Sequence, residues 1–202
     1  RADAVQAAEF FVNGGWKPLR ATQRFSVAPP GFVWDARIEM APLLSVYVRD
    51  AYIDGERSMQ ATMLALYPLT DQKGRSELDA GALQRYLAEA LWIPTAFLPG
   101  TGITWAAAGD RAAIATITDG ETAVSLEFRF NDRDEVVEVA GERFAEDRGE
   151  YTLRRWQVTC REYQRRSGIL IPAFCEVAWL MPEGRVPYWR GRVVDIAYEL
   201  AR

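Results

Sequence analysis

The stretch YTLRRWQVTCREYQRRSGILIPAFCEVAWLM, residues 151–181, decides the fold. Its Ser167-Gly168 pair is a turn dipeptide of the kind that supplies positive φ between two strands. A hairpin centred there sets Trp156 opposite Trp179, Val158 opposite Val177 and Cys160 opposite Cys175. Large and apolar residues then share one face, while Gln157, Thr159 and Arg161 take the other. The same register works around Asp54-Gly55, which sets Val46 opposite Met63 and Val48 opposite Ala61. It also works around Asp119-Gly120, with Ala115 opposite Val124, and around Asp132-Arg133, with Phe128 opposite Val137 and Leu126 opposite Val139. Four hairpins that each gather their apolar side chains on one face predict an antiparallel meander.

Working outward, strands are expected at residues 20–27, 32–40, 45–53, 57–66, 103–108, 112–118, 122–130, 136–144, 151–163, 169–181 and 189–200. Pro29-Pro30-Gly31 is a rigid corner between the first two. Residues 2–12 have helix-forming composition and are expected as a short helix leading into Asn13-Gly14-Gly15. The period changes over residues 76–92, where Leu83, Tyr86, Leu87, Ala90 and Leu91 recur at helical spacing. Ser76 is a candidate N-cap with Asp79 three residues on, and Pro94 ends the helix. Arg85 and Glu89 stand at i, i+4, but Ala88 and Trp92 share their side, so this helix is expected to be covered on both sides or to cap a cavity. Ten or eleven strands with a single good helix imply a mainly β fold, a large curved antiparallel meander forming a half-barrel or open barrel, with the helix over its concave face.

The 202 residues, 49% of them hydrophobic, bury one sizeable core, and no linker divides them, so residues 1–202 are read as a single domain. No apolar run approaches the ~20 residues that span a bilayer. A net charge of −4 and a pI near 5.1 argue against nucleic acid, whose recognition needs a clustered excess of Lys and Arg. The arginines at 154, 155, 161, 165 and 166 straddle both faces of a hairpin among Glu150, Glu162 and Glu176, the pattern of a solvated rim. Cys160 and Cys175 are read either as one bridge or as two small buried hydrophobes.

The chain contains no histidine. That removes the usual general base at neutral pH, the Ser-His and Cys-His nucleophile pairs, and every His-containing zinc or non-haem iron site. Two cysteines cannot make a thiolate-only zinc site. Asp132, Asp134 and Glu135 read as a turn and do not match a calcium loop. Gly14-Gly15 and the Gly100–Gly102 stretch lack the context of phosphate loops. No metal and no cofactor is expected.

If one face of the sheet is interior, the informative residues are the polar ones on it. Asp50 lies between Val48 and Tyr52 in alternation, opposite Met59 on one neighbour and near Ala36 on the other. Arg143 continues the face of Val137 and Val139, and Arg192 the face of Val194, Ile196 and Tyr198. A carboxylate turned into an apolar surround must be paired, hydrogen-bonded or protonated. Two readings of Asp50 follow. In one it pairs with these arginines or with Arg85 and Glu89 and pins helix to sheet. In the other Asp50, Arg192 and Trp34 surround a ligand with an apolar body and a polar end, with Trp34, Tyr52, Trp92 and Trp105 as the apolar wall.

Three segments carry a resemblance: Pro29 to Arg37 (PPGFVWDAR), Arg85 to Thr95 (RYLAEALWIPT) and Pro187 to Gly191 (PYWRG). They resemble an uncharacterised bacterial domain-of-unknown-function family over nearly the whole chain. The resemblance implies no catalytic residues. It does imply that a membrane segment often precedes this domain, so an extracytoplasmic or membrane-tethered location is expected, and a cytoplasmic one otherwise. The architecture is similar to the half-barrels of bacterial lipoprotein carriers, which bears on fold alone. The first functional reading is non-catalytic binding of a lipid or other hydrophobic small molecule, in which Trp105→Arg loses the ligand without unfolding. The second is an enzyme with Asp50 as its acid or base and Arg192 on an anionic substrate. The third is an extracytoplasmic interaction module using an edge strand or the Pro187-Tyr188-Trp189 loop, its protein partner unspecified. Binding ranks first, because a carrier shape needs no catalytic set and none is visible.

Overall fold

The computed structural model describes residues 1–63, 67–73, 75–147 and 149–199, the stretch 67–73 by its backbone alone. The first six strands are β1 (Ala2–Val12), β2 (Gly15–Ser26), β3 (Gly31–Ala41), β4 (Leu44–Ile53), β5 (Glu56–Met63) and β6 (Tyr67–Lys73). The helix α1 (Ser76–Glu89) follows, continued by 3-10 turns at Ala90–Trp92 and Pro94–Phe97. Then come β7 (Ile103–Gly109), β8 (Ala112–Asp119), β9 (Thr122–Phe130), β10 (Val136–Asp147), β11 (Glu150–Arg166), β12 (Ile169–Met181) and β13 (Gly184–Tyr198). All belong to one sheet ordered β6-β5-β4-β3-β2-β1-β13-β12-β11-β10-β9-β8-β7. Each half is an up-and-down meander, and the two join where β1 pairs antiparallel with β13. The helix sits in the connection between the two open edges and touches strands of both arms, β3, β4 and β5 on one side and β8, β9 and β10 on the other. The expected mainly β half-barrel with a covering helix is the observed fold.

Residues 2–12 are a strand, which corrects the expected helix. Asn13 and Gly14, with φ of 52° and 76°, form a two-residue turn that pairs Val12 with Gly15, and Ala2, Ala4, Gln6 and Ala8 are buried in strict alternation. Alanine-rich composition favours helix only weakly, and the sheet on both sides of β1 overrides it. The same turn geometry, positive φ at both central residues, occurs at Asp54-Gly55 and Ser167-Gly168. The flanking registers there are as expected, with Val48 facing Ala61 and Trp156 facing Trp179. Two other hairpins slide by two residues, which keeps the side chains on their faces except at Val137, expected inward opposite Phe128 but left unpaired and exposed by a bulge that turns Val136 inward instead. Ala115 faces Leu126 because the turn centres on Gly120-Glu121. Val139 faces Phe128 because the Asn131 side chain accepts the N–H groups of Arg133 and Glu135 and builds a longer turn. Counting β1 and β6, the described strands number thirteen rather than ten or eleven. β6 carries Pro68 and is an edge strand, where proline is tolerated. The expected strand ends at 64–66 and 200 lie outside the described residues.

Arg75, not Ser76, is the N-cap of α1, and Asp79 is drawn away from any capping role because it accepts the backbone N–H of Arg57 at 2.7 Å. Gly81, Ala82, Leu83, Gln84, Tyr86, Leu87 and Ala88 are all buried, as expected for a helix covered on two sides. The arms also meet directly: the Tyr52 hydroxyl of β4 donates to the Asp119 carboxylate of β8 at 2.8 Å. Tight curling demands small residues at the β1–β13 seam. A methyl group at Gly191 would stand 2.5 Å from the Ala8 methyl and 2.8 Å from the Trp189 ring, which accounts for the glycine in the PYWRG segment. Among the described residues no helix is long and apolar enough to cross a membrane.

The core makes the fold sensitive to alkali. Burial raises the phenols of Tyr52, Tyr86, Tyr163 and Tyr198 above their ordinary value, with Asp119 adding to the effect at Tyr52 and Tyr86. Tyr198, whose hydroxyl donates to the Trp92 carbonyl at 2.8 Å, is pushed up to about 12. The unfolded chain releases these protons near ~10. Above that pH the folded state holds more protons than the unfolded state, so stability falls as pH rises through the folded values. Below it the contribution is complete. The expected result is a melting temperature that drops steeply above about pH 10, with tyrosinate absorbance from these four groups appearing together with unfolding. Titration of all eight tyrosines near ~10 in folded protein would contradict this.

Candidate binding site

Strand alternation sends Trp34 and Ile38 of β3, Val48 and Asp50 of β4, and Arg57, Met59 and Ala61 of β5 to the concave face. Opposite them stand Trp156 and Val158 of β11, Val177 of β12, and Tyr188 and Trp189 of β13. With Arg85, Ala88 and Glu89 of α1 and the adjoining Leu91 and Trp92 they enclose a cavity of about 360 Å³. Its wall is mostly apolar, with one polar group of Asp50, Arg57, Arg85 and Glu89 and a second of Arg143 and Tyr188. That is the usual make-up of a small-molecule pocket.

Asp50, 7% exposed, accepts from Arg57 Nε at 2.9 Å through Oδ1 and from Arg85 Nη1 at 2.7 Å through Oδ2. Arg85 Nε also donates to Glu89 at 2.8 Å. The Gln23 amide donates to the other Glu89 oxygen at 2.6 Å, and Gln6 donates to Gln23 at 2.8 Å. Trp34 Nε1 donates to Gln6 at 2.9 Å. The Arg85 guanidinium lies 4.7 Å from the Phe32 ring and 5.0 Å from the Trp34 ring. Burial works against its charge, but Glu89 and Asp50 outweigh that and hold the guanidinium above its ordinary value. The chain from Trp34 through Gln6, Gln23, Glu89, Arg85 and Asp50 to Arg57 therefore ties β1, β2, β3, β4, β5 and α1 together.

Of the residues expected at the site, Trp34, Asp50, Arg85, Glu89 and Trp92 meet at this cavity. Tyr52 does not line it; its hydroxyl latches the two arms at Asp119. Trp105 is 41% exposed and lines a separate groove of about 500 Å³ against Phe97 and Phe128. Arg192 points to the outer face and pairs with Glu162. The reason is a bulge: Val5 pairs with Asp195 and Gln6 with Val193, so Val194 is an extra residue and the alternation beyond it inverts. Val193 and Gly191 thus turn inward, and Arg192 outward. Asp50 faces Trp34 across the β3–β4 pair rather than Ala36.

Arg57, Gln6, Gln23 and Trp156 are not placed at a site by the sequence alone, and Tyr188 and Trp189 are expected only as part of an interaction loop, whereas they lie within β13 and line the cavity. Gln23 between Ala21 and Phe25 was a visible polar break in an apolar face, whereas Gln6 was hidden by reading residues 2–12 as helix. Cys160 and Cys175 are buried free thiols 3.3 Å apart, and hydrogen bonding to Cys160 together with burial pushes the Cys175 thiol up. Among the described residues there is no group of three or more metal-ligating side chains.

An open antiparallel sheet curled around one helix, with a lined cavity beneath that helix, defines a barrel-like β protein. The chain belongs to a family of unknown function, DUF6920, whose profile matches residues 2–198. A DUF1329 family protein from Desulfovibrio piger has a similar crystal structure, with a TM-score of 0.53 and 8% identity over 100% of this chain and 86% of that one. At that identity the likeness is one of fold. A beta-barrel-like protein of domain of unknown function DUF1849 from Brucella abortus aligns over 98% of each chain at 8% identity, with a TM-score of 0.30. No curated protein matches the chain.

Proposed function

We propose that this protein is a non-catalytic binding protein that holds a hydrophobic molecule in the cavity between α1 and the concave face. The observation that carries the reading is the cavity itself, about 360 Å³ walled mainly by aromatic and aliphatic side chains. Its Asp50 and Glu89 oxygens already accept hydrogen bonds from neighbouring side chains. That leaves space for an apolar body, where each methylene taken from water contributes about 0.8 kcal/mol.

Four tryptophans line the space: Trp34, Trp92, Trp156 and Trp189. Bromododecanol, whose bromine quenches indole at contact, is therefore expected to quench wild-type fluorescence saturably with one molecule per chain. Ala61→Phe fills the cavity from β5 and is expected to abolish that quenching while the protein keeps its sheet spectrum by circular dichroism. Trp105→Arg, in the other groove, is expected to bind as wild type does. Unsaturable quenching, or saturable quenching that survives Ala61→Phe, would sink the reading.

A further inference from the structure

The cavity holds one charge that the protein leaves unmatched. Arg57 and Arg85 share Asp50 and Glu89. Arg143, from β10, lines the same cavity, and among the described residues the cavity's ion pairs are those of Arg57 and Arg85, none of which includes Arg143. Three guanidiniums thus face two carboxylates. Arg143 is half-buried, and its partial removal from water pulls the guanidinium below its ordinary value, with Arg85 and Arg57 adding to this and Tyr188 and Asp50 partly offsetting it. A guanidinium stays protonated even so. It stacks at 5.0 Å from the Trp156 ring, and its Nη1 is 3.5 Å from the Tyr188 hydroxyl. Across from it α1 presents Gly81, where a methyl group would stand 3.5 Å from Arg143 Nε.

The Tyr188 hydroxyl accepts from Trp156 Nε1 at 2.9 Å, which leaves its own proton to donate. Two donors, one of them charged, therefore stand together beside an apolar chamber. A half-buried cation without a counter-charge lowers stability, and the Trp156 ring and the Tyr188 hydroxyl return only part of that loss. An anion brought by a ligand does.

Resting on the cavity reading above, we infer that Arg143 and Tyr188 form the head-group end of the cavity and hold the carboxylate of a single-chain amphiphile. A monoanion neutralises the one surplus positive charge, and the guanidinium fork matches two carboxylate oxygens. At ~30 Å³ for each water-sized or methylene-sized unit, the space takes a chain of roughly twelve carbons. A diacyl lipid exceeds it.

The test is isothermal titration at pH 8 and constant ionic strength with dodecanoate, dodecanol and dodecyl phosphate. Wild type is expected to bind dodecanoate roughly ten- to hundred-fold more tightly than dodecanol, with dodecyl phosphate, a dianion at this pH, weaker than dodecanoate. Arg143→Met should erase the preference, keep the dodecanol affinity, and melt without ligand at or above the wild-type temperature. Tyr188→Phe, which keeps the ring, should reduce the preference several-fold and decides the matter if Arg143→Met does not fold. Equal binding of dodecanoate and dodecanol by wild type, a preference for the phosphate, or an undiminished preference in the folded variants overturns the head-group assignment alone. Binding of none of the three overturns it together with the cavity reading.

Discussion

Asp50→Asn is expected to lower the melting temperature by roughly 10 °C. The Asp50 carboxylate is the shared partner of Arg57 and Arg85, and all three side chains are at most 18% exposed. Asparagine offers one oxygen where aspartate offered two. Its amide nitrogen would face a guanidinium, donor against donor. Removing one partner of a buried pair costs about 3–5 kcal/mol, because the charge left behind stays desolvated. In a chain of this length each kcal/mol shifts the midpoint by about 2–4 °C. Calorimetry of wild type and Asp50→Asn checks the figure. A midpoint within a degree or two of wild type would remove the pinning role and return Asp50 to the reading in which it acts as a catalytic acid or base.

Trp92→Ala is expected to cost about 4 kcal/mol, since a buried tryptophan cut to alanine loses about 3–5. Trp92 is 3% exposed, packs edge-on against Phe25 at 6.3 Å, and donates from Nε1 to the Pro172 carbonyl at 3.1 Å. It is therefore the bolt between the end of the helix and both arms of the sheet, one through Phe25 of β2 and the other through Pro172 of β12. Truncation removes the ring and the hydrogen bond it donates to the Pro172 carbonyl, a bond worth about 0.5–1.5 kcal/mol. Denaturant unfolding should show the midpoint falling with the slope unchanged, the sign of lower stability without a change in unfolded-state exposure. A loss below about 1 kcal/mol would mean that this helix end is not held by packing.

Most of the fold was legible because a period of two is hard to mistake. The pairs Trp156 with Trp179, Val158 with Val177 and Val48 with Ala61 follow from turn dipeptides and alternation alone. What failed, failed for local reasons. Residues 2–12 were misread because alanines look helical in isolation, although Asn13-Gly14 was a strong hairpin signal. The site was legible only in part. Asp50, Arg85, Glu89, Trp34 and Trp92 could be placed from alternation and helical spacing, since each lies in a regular stretch. Arg192 could not, because the extra residue Val194 inverts the alternation on its N-terminal side and turns Arg192 outward. Tyr52 and Trp105 have the right character but stand where the sheet closes or its surface folds, which depends on curvature that no single strand encodes. Tyr188 joins the site only because β13 is drawn against β12 and β1 from the far end of the chain.

The most direct measurement on the central claim is native mass spectrometry of protein purified gently from a bacterial host, followed by incubation with dodecanoate and by solvent extraction. The account predicts one bound single-chain amphiphile per chain, carried over from the host or taken up from the added dodecanoate, and none on Ala61→Phe. A clean unliganded mass for wild type in excess dodecanoate, or the same adduct on Ala61→Phe, would contradict it.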